Sequence, residues 1–180
     1  MPKQRSVCVF CGSRDGTSPA YADLALQFGQ EVARRKLRMV YGGGGIGLMG
    51  IAARAARRGK AQVLGIIPDF LSTDEVAFDD CELEIVDTLH ERKARMAMES
   101  AGFVVLPGGI GTMEEVVEVL SWSNLGLFPM KTVFLDNNGY WDPFFALLEH
   151  SIKEGFTSES LRGQALRAQT ADKALDLLGL

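Results

Sequence analysis

"RMVYGGGGIGLMGIAARAARR", residues 38–58, contains the three parts of one structural unit. An apolar run of strand length comes first, four glycines follow, and the remainder has the periodic pattern of a helix. Two other apolar runs also end in glycine turns, "VFCGSR" at 9–14 and "VLPGGIGT" at 105–112. A strand that leads through a short turn into a helix is the repeating unit of parallel α/β sheets. The stretch therefore predicts an α/β fold.

Short apolar runs alternate with longer amphipathic runs along the chain. The predicted strands are 6–11, 38–41, 62–67, 83–86, 102–106 and 131–135. The predicted helices are 19–35, 48–58, 90–101, 112–124 and 142–154, with a last helix that follows an N-cap at Thr170. Several strands are almost wholly apolar, which is typical of strands that helices cover on both faces. We expect one domain over residues 1–180, with a mostly parallel sheet between two helical layers.

The composition is that of an ordinary globular domain. The chain has 180 residues, of which 47% are hydrophobic and 23% charged. Its net charge of −4 argues against a sequence-independent grip on nucleic acid. The N-terminal stretch "MPKQRSVCVFCGS" contains no apolar run that would serve as a signal peptide or a membrane span. We therefore expect a cytoplasmic protein with neither nucleic-acid nor membrane partners.

Two of the three cysteines, Cys8 and Cys11, form a C-x-x-C pattern. This pattern occurs in redox pairs and as half of a zinc site. In a strand, however, side chains three positions apart point to opposite faces of the sheet. The remaining candidate ligands, Cys81, His90 and His150, are too scattered to complete a zinc site. We expect both cysteines to be structural and no metal to be bound.

A dinucleotide fingerprint is formally present as Gly45-x-Gly47-x-x-Gly50. It follows the second strand rather than the first, and the acidic residue near the next strand, Asp69, lies beyond a proline. No G-K-[ST] follows any glycine turn, which excludes a Walker P-loop. These observations count against NAD or NADP, and we expect no cofactor. Three glycine turns at the carboxyl ends of strands instead favour a nucleotide-like ligand.

The third glycine turn continues as "LPGGIGTMEEVVEV", residues 106–119. Free amides at a helix N-terminus bind phosphates, yet this helix carries three glutamates in its first turns. Thr112-x-x-Glu115 matches a capping box, in which Glu115 would be structural. Alternatively, a phosphate binds the 108–112 amides and Glu115 binds ribose hydroxyls or stabilises an oxocarbenium-like transition state. The pattern leaves both roles open.

The segment "LHERKARM", residues 89–96, leads towards the strand that feeds this turn. A helix here places Arg92, Met96 and Glu99 on one face, with Arg95 beside them. A solvated basic face is one explanation of these charges. The helix dipole, however, disfavours cations in a first turn, so an anionic substrate is the other explanation.

The segments "VCVFCGS", "VYGGGGIGLMG", "GIIP", "HERKARM" and "LPGGIGTMEEVVEVLSW" occur in this order over residues 5–156. In sequence and spacing they resemble the LONELY GUY family of cytokinin-activating phosphoribohydrolases, formerly called "possible lysine decarboxylases". The resemblance implies a Rossmann-like α/β sandwich and a homodimer with its active site near the subunit interface. It also implies hydrolysis of the N-glycosidic bond of N6-substituted adenosine 5′-monophosphates, or of AMP, to a free base and ribose 5-phosphate.

The resemblance also implies roles for individual residues. Arg92 and Glu115 match the catalytic pair, Lys93 is the basic residue beside the arginine, and 108–112 match the phosphate loop. The substrate-binding residues assigned in this way are Gly43, Gly44, Glu75, Arg92, Lys93, Gly108, Gly109, Ile110, Gly111, Thr112, Met113, Glu114, Glu115 and Ser121.

Two alternatives stay open at this point. A nucleotide- or cofactor-binding carrier could use the same loop without chemistry, and a general purine nucleotide nucleosidase would differ only in substrate. The segment "STDEVAFDDCE" departs most from the family pattern, which leaves the preferred base open. No lysine lies in a setting that suggests a pyridoxal phosphate Schiff base, so a decarboxylase is not expected.

Overall fold

The computed structural model describes residues 5–72, 78–136 and 138–180. The strands in these ranges are β1 (Ser6–Phe10), β2 (Arg38–Tyr41), β3 (Val63–Pro68), β4 (Glu82–Val86), β5 (Phe103–Val105), β6 (Thr132–Leu135) and β7 (Ala165–Ala168). The helices are α1 (Pro19–Arg34), α2 (Gly47–Arg58), α3 (Leu89–Met98), α4 (Ile110–Asn124), α5 (Asp142–Lys153) and α6 (Ala171–Leu178). Short 3₁₀ turns cover Asp69–Leu71 and Glu159–Gly163.

All seven strands that the described ranges contain are parallel, in the order β4-β3-β2-β1-β5-β6-β7. From β1 the chain builds the sheet outwards through β2, β3 and β4, and then returns to the other side of β1 for β5. The connections that leave β1 and β5 therefore diverge. Ligands of open α/β sheets bind at such a switch point, beyond the carboxyl ends of the strands.

Helices cover both faces of the sheet, as the apolar strands predict. One core layer joins the sheet to α1, α2 and α6 through residues such as Phe28, Ala52 and Leu175. The other joins it to α3, α4 and α5, where Met96 and Val116 are fully buried. Among the helices described, none has the length and apolarity that crossing a bilayer requires.

The predicted strands and helices are confirmed to within a few residues, with two differences. The first is β7, which the sequence analysis did not predict because "ALRA" lacks the β-branched and aromatic residues that favour strands. Its backbone nevertheless pairs in parallel with β6, from Thr132 opposite Ala165 to Leu135 opposite Ala168. An edge strand of this kind is held by its neighbour rather than by its own propensity.

The second difference concerns the start of α4. The helix begins at Ile110, and its N-cap is Gly109 in extended conformation, not Thr112. The predicted capping box is therefore wrong, and Glu115 does not occupy the position at which it could complete one. The reason is packing: Thr112 is buried in the first turn, and its Oγ1 lies 2.2 Å from where a Cβ on Gly108 would be. The hydroxyl thus lies under the preceding loop.

The prediction for Cys8 and Cys11 is confirmed in its geometry. Cys8 belongs to the core layer that contains α3 and α4, and Cys11 to the layer that contains α1 and α2. Both are buried and reduced. The C-x-x-C pattern here spans the sheet, so the two thiols do not face each other.

Candidate active site

A cavity of about 500 Å³ opens at the switch point between β1 and β5. Its walls are the loops after these two strands, the first turns of α2 and α4, and two tyrosine rings. The residues that line it are Val9, Phe10, Cys11, Gly12, Ser13, Arg14, Asp15, Gly16, Tyr21, Gly42, Leu48, Met49, Arg92, Pro107, Gly108, Gly109, Ile110, Gly111, Thr112, Glu115 and Tyr140. The three glycine turns of the sequence thus meet at one site.

Arg92 reaches this cavity from α3, where its side chain is buried. Its Nε donates to the carbonyl oxygen of Ile66 at 3.1 Å, and its Nη2 donates to that of Gly42 at 2.8 Å. A Cβ on residue 42 would lie 2.0 Å from Nη2, so only glycine permits this approach. The cation that looked misplaced in a first helical turn is held by carbonyl groups at the ends of β2 and β3.

Glu115 lies in the second turn of α4 and lines the same cavity as Arg92. Both charges act on the thiol of Cys8, a buried residue of β1. Burial raises the pKa of Cys8 well above its ordinary value, and the Glu115 carboxylate raises it further, whereas a hydrogen bond with Ser100 and the Arg92 cation lower it. A carboxylate and a guanidinium thus line one cavity.

The phosphate-loop segment is held in place by backbone and tyrosine contacts. The amide of Leu106 donates to the carbonyl oxygen of Phe10 at 2.9 Å, and the amide of Gly12 donates to that of Pro107 at 3.0 Å. The Tyr140 hydroxyl donates to the carbonyl oxygen of Gly108 at 2.6 Å. These bonds fix the loop that enters α4.

The N-terminus of α4 is open to the cavity. The first amides of a helix have no acceptor within the helix, and Gly109, its N-cap, has no side chain that could accept from them. Positions where a Cβ on Gly109 or Gly111 would lie are clear of other atoms to 4 Å. Together with the helix dipole, these amides form a site suited to an anion such as a phosphate.

Lys93 lies beside Arg92 in sequence but outside the cavity lining. Its side chain, 3% exposed, forms ion pairs with Glu114 and Glu118 of α4. Burial by itself lowers the pKa of Lys93, but the hydrogen bonds to the two glutamates outweigh it, and the pKa is raised. Lys93 thus joins α3, which carries Arg92, to α4, which carries Glu115.

The structure brings some of the assigned residues together and separates others. Those that line the cavity are Arg92, Gly108, Gly109, Ile110, Gly111, Thr112 and Glu115. Those outside its lining are Gly43, Gly44, Lys93, Met113, Glu114 and Ser121. Glu75 lies outside the described residues. A substrate contact by any residue of the second group stays a prediction.

The separations have structural causes. Gly43 has a φ of +82°, and a Cβ there would lie 2.9 Å from that of Ile67, so this residue faces the β3 side of the sheet. Met113 packs on the core layer beneath α4. Ser121 lines a separate groove between α4 and α5.

Among the cavity residues that sequence reasoning missed are Arg14, Asp15, Tyr21 and Tyr140. The first two follow the glycine of "VFCGSR", which marks the right loop. Tyr140 lies in the turn between β6 and α5, again beyond the carboxyl end of a strand, and this position was the available signal. No group of three metal-binding side chains is found within the described ranges.

The chain is similar in sequence to known proteins. A family model described as "Possible lysine decarboxylase" matches residues 49–178. The chain is 44% identical to "Probable cytokinin riboside 5'-monophosphate phosphoribohydrolase LOGL1" of Oryza sativa subsp. japonica, over 94% of this chain and 76% of that protein. It is 39% identical to "Cytokinin riboside 5'-monophosphate phosphoribohydrolase LOG2" of Arabidopsis thaliana, over 97% of this chain and 82% of that protein. The chain belongs to the LONELY GUY family.

The fold also matches solved structures of lower sequence identity. The molybdenum cofactor binding protein of the phototrophic bacterium Rippkaea orientalis has a TM-score of 0.74 and 19% identity, over 99% of this chain and 98% of that one. At this identity the match shows a shared Rossmann-like α/β architecture. The molybdenum cofactor binding protein and this chain thus share one architecture.

The ion pairs of Lys93 generate the first prediction. Lys93→Met should lower the free energy of unfolding by about 1–3 kcal/mol, because two glutamates lose their buried partner. We place the loss below the upper end for buried pairs because the Glu114 side chain is 54% exposed. Urea unfolding monitored by circular dichroism measures the change.

The control is Lys60→Met, which makes the same chemical change at an exposed position and should leave the unfolding midpoint almost unaltered. Because the pKa of Lys93 is raised, its contribution is fully present below the ordinary lysine pKa of about 10.4 and is lost as the pH rises through the raised value. The difference between Lys93→Met and wild type should therefore be the same at pH 6 and pH 8. Equal stability of the two lysine variants would show that the ion pairs do not hold the helices together.

Proposed function

We propose that this protein hydrolyses the N-glycosidic bond of adenosine 5′-monophosphates, with or without an N6 substituent, to a free base and ribose 5-phosphate. The proposal is supported by the relatives that are named cytokinin riboside 5′-monophosphate phosphoribohydrolases. The observation that carries it is one cavity in which the open N-terminus of α4 lies one helical turn from a carboxylate, Glu115. In a nucleoside 5′-monophosphate the ribose directly follows the phosphate, so a phosphate at the α4 N-terminus brings the ribose towards Glu115.

The phosphate would bind the amides at 109–112, where the helix dipole favours negative charge. These amides belong to a helix of 15 residues, so their direction is set before the substrate arrives. A nucleoside without the phosphate would lose this contact. The site thus distinguishes a nucleotide from a nucleoside by charge.

Glu115 would act on the ribose. One turn of helix, about 5.4 Å, separates its side chain from the phosphate amides, and a ribose bridges a separation of this kind. Its carboxylate accepts hydrogen bonds from sugar hydroxyls and stabilises positive charge at C1′ as the bond to the base breaks. A water molecule then adds its hydroxyl to C1′, and its proton balances the charge on the departing base.

Arg92 would orient the carboxylate of Glu115. Two of its guanidinium nitrogens donate to main-chain carbonyl groups, which fixes the direction of the side chain. A rigid cation in the same cavity favours one orientation of the Glu115 carboxylate. Both charged groups are needed for chemistry, whereas a carrier needs the phosphate loop alone, and this difference favours an enzyme.

We also propose that the protein acts as a homodimer in the cytoplasm. An apolar groove between α4 and α5 supports the dimer, and its rim includes Val117, Leu147 and Phe156. Leu147 and Phe156 are 67% and 89% exposed, which is unusual for large apolar side chains that lie together. A second copy seated there would contact the helix that carries Glu115. The reduced state of Cys8, Cys11 and Cys81 suits a reducing compartment.

Product analysis tests the proposed reaction. Incubation with AMP or its N6-isopentenyl derivative should release free base and ribose 5-phosphate in equal amounts, resolved by chromatography. Adenosine should react at least tenfold more slowly, because the helix amides lose their anion. The sequence predicts no cofactor, so turnover should persist in EDTA without NAD. Tight binding of AMP with no base released would instead identify a carrier.

Removal of the Glu115 charge tests the role of the carboxylate. Glu115→Gln keeps the shape of the side chain, and should lower kcat by about a hundredfold or more, the scale of one preorganised electrostatic contact. Because Glu115 is not part of a capping box, no loss of a helix cap complicates the result. Initial rates with AMP at saturation measure the effect.

The matched control is Glu154→Gln, the same change at an exposed position at the end of α5 and outside the cavity lining. It should keep kcat within a few-fold of wild type.

Arg92→Lys should also reduce kcat, and its effect should combine non-additively with that of Glu115→Gln if the two groups act as a unit. Near-normal turnover in Glu115→Gln would show that the carboxylate is structural.

The dimer is tested by a charge in the apolar groove. Leu147→Asp should halve the mass measured by light scattering, because a second copy would have to bury an unpaired carboxylate. Met98→Asp introduces the same charge at an exposed apolar position on α3 and should leave the mass of the dimer unchanged. A wild-type protein that is monomeric at micromolar concentration would contradict the proposal.

A further inference from the structure

Tyr140 connects the turn before α5 to the phosphate loop. Its hydroxyl donates to the carbonyl oxygen of Gly108 at 2.6 Å, across a separation of 32 residues in sequence. Its ring lies edge-on to that of Tyr21, with 5.6 Å between the ring centroids. Both rings line the cavity, but only the Tyr140 hydroxyl bonds to the loop among the contacts of the described residues.

The position of Tyr140 is itself determined by a buried carboxylate. Asp136, at the end of β6, accepts a hydrogen bond from the amide of Trp141 at 2.9 Å and another from that of Asn138 at 3.0 Å. The Trp141 side chain is 1% exposed and packs edge-on against Phe134. Tyr140 therefore precedes a residue that is held by both its amide and its buried ring, and its own hydroxyl reaches Gly108.

The peptide between Gly108 and Gly109 is the part of the loop that most needs such support. Glycines populate both signs of φ, so the peptide plane between two glycines can flip at little steric cost. In a trans peptide the C=O and N–H groups point in opposite directions. A turned peptide would present a carbonyl oxygen where the anion site needs the Gly109 amide.

The loop is held on both of its consecutive carbonyl groups. On the β1 side, the Gly12 amide donates a hydrogen bond to the carbonyl oxygen of Pro107. On the β6 side, the Tyr140 hydroxyl donates one to the carbonyl oxygen of Gly108. The first contact is between main-chain atoms and is present whatever the side chains are. The second depends on one hydroxyl group.

We propose that Tyr140 is a positioning residue that holds the Gly108–Gly109 peptide with its amide available to the substrate, and so sets the affinity for the 5′-phosphate. The proposal rests on the proposed function, in which the 109–112 amides bind that phosphate. Tyr140 does not act on the bond that breaks. Its contribution is to KM rather than to kcat, and it is confined to ligands that carry a phosphate.

The test is Tyr140→Phe, which removes the hydroxyl and keeps the ring. The dissociation constant for ribose 5-phosphate, measured by calorimetry, should rise about three- to tenfold, the effect of one net hydrogen bond. KM for AMP should rise by a similar factor, with kcat within about twofold, and kcat/KM for adenosine should not change. A general loss of folding would move all of these together.

Tyr41→Phe is the matched control, since it removes a buried hydroxyl next to Cys81 and outside the cavity lining. It should bind ribose 5-phosphate as wild type does. Equal affinity of Tyr140→Phe and wild type for ribose 5-phosphate would overturn the positioning role, as would an equal loss of catalytic efficiency for AMP and adenosine. Wild-type protein that binds ribose 5-phosphate but releases no base from AMP would instead overturn the proposed function, and the binding comparison would still decide the role of Tyr140.

Discussion

The site depends on the divergence of the chain on either side of β1. β1 and β5 are hydrogen-bonded neighbours, yet the connection after β1 leads towards β2 and the connection after β5 leads towards β6. Two loops that leave adjacent strands in opposite directions cannot fill the space between them. One main-chain hydrogen bond, from Gly12 to Pro107, ties the two loops at the base of the cavity. Of the residues assigned to the substrate, Arg92, Glu115 and the 108–112 loop line the cavity at this gap.

Glycine lets the backbone and the charged groups come close together around that gap. At Gly42 the absence of a side chain admits the guanidinium of Arg92, and at Gly108 it admits the hydroxyl of Thr112. Gly109 and Gly111 have a different use, because they leave the amides of α4 uncovered. Glycine thus permits close packing of protein groups at positions 42 and 108, and at positions 109 and 111 it leaves the amides open to a ligand. Alanine at position 42 or 108 would push away Arg92 or Thr112, whereas alanine at position 109 or 111 would partly cover the α4 amides.

Much of the fold was predictable because strand and helix patterns alternate clearly, and the convergence of three glycine turns followed from parallel strand order. The strand at Ala165–Ala168 was not predictable, since only its pairing with β6 makes it a strand. The start of α4 was misjudged because Thr112 and Glu115 match a cap in sequence, whereas burial of the threonine under Gly108 is a tertiary effect. Neighbours in sequence were equally misleading: Arg92 faces the cavity and Lys93 faces α4. Which face of a helix a charge occupies depends on packing that the motif does not encode.

The central claim is that the α4 amides hold the phosphate while Glu115 faces the ribose. A crystal structure of the Glu115→Gln variant with AMP tests it most directly, because slow turnover leaves the nucleotide intact. The account predicts phosphate oxygens within about 3 Å of the 109–112 amides and the ribose hydroxyls at the side chain of residue 115. A phosphate bound elsewhere, or a base in place of the ribose beside residue 115, would contradict it.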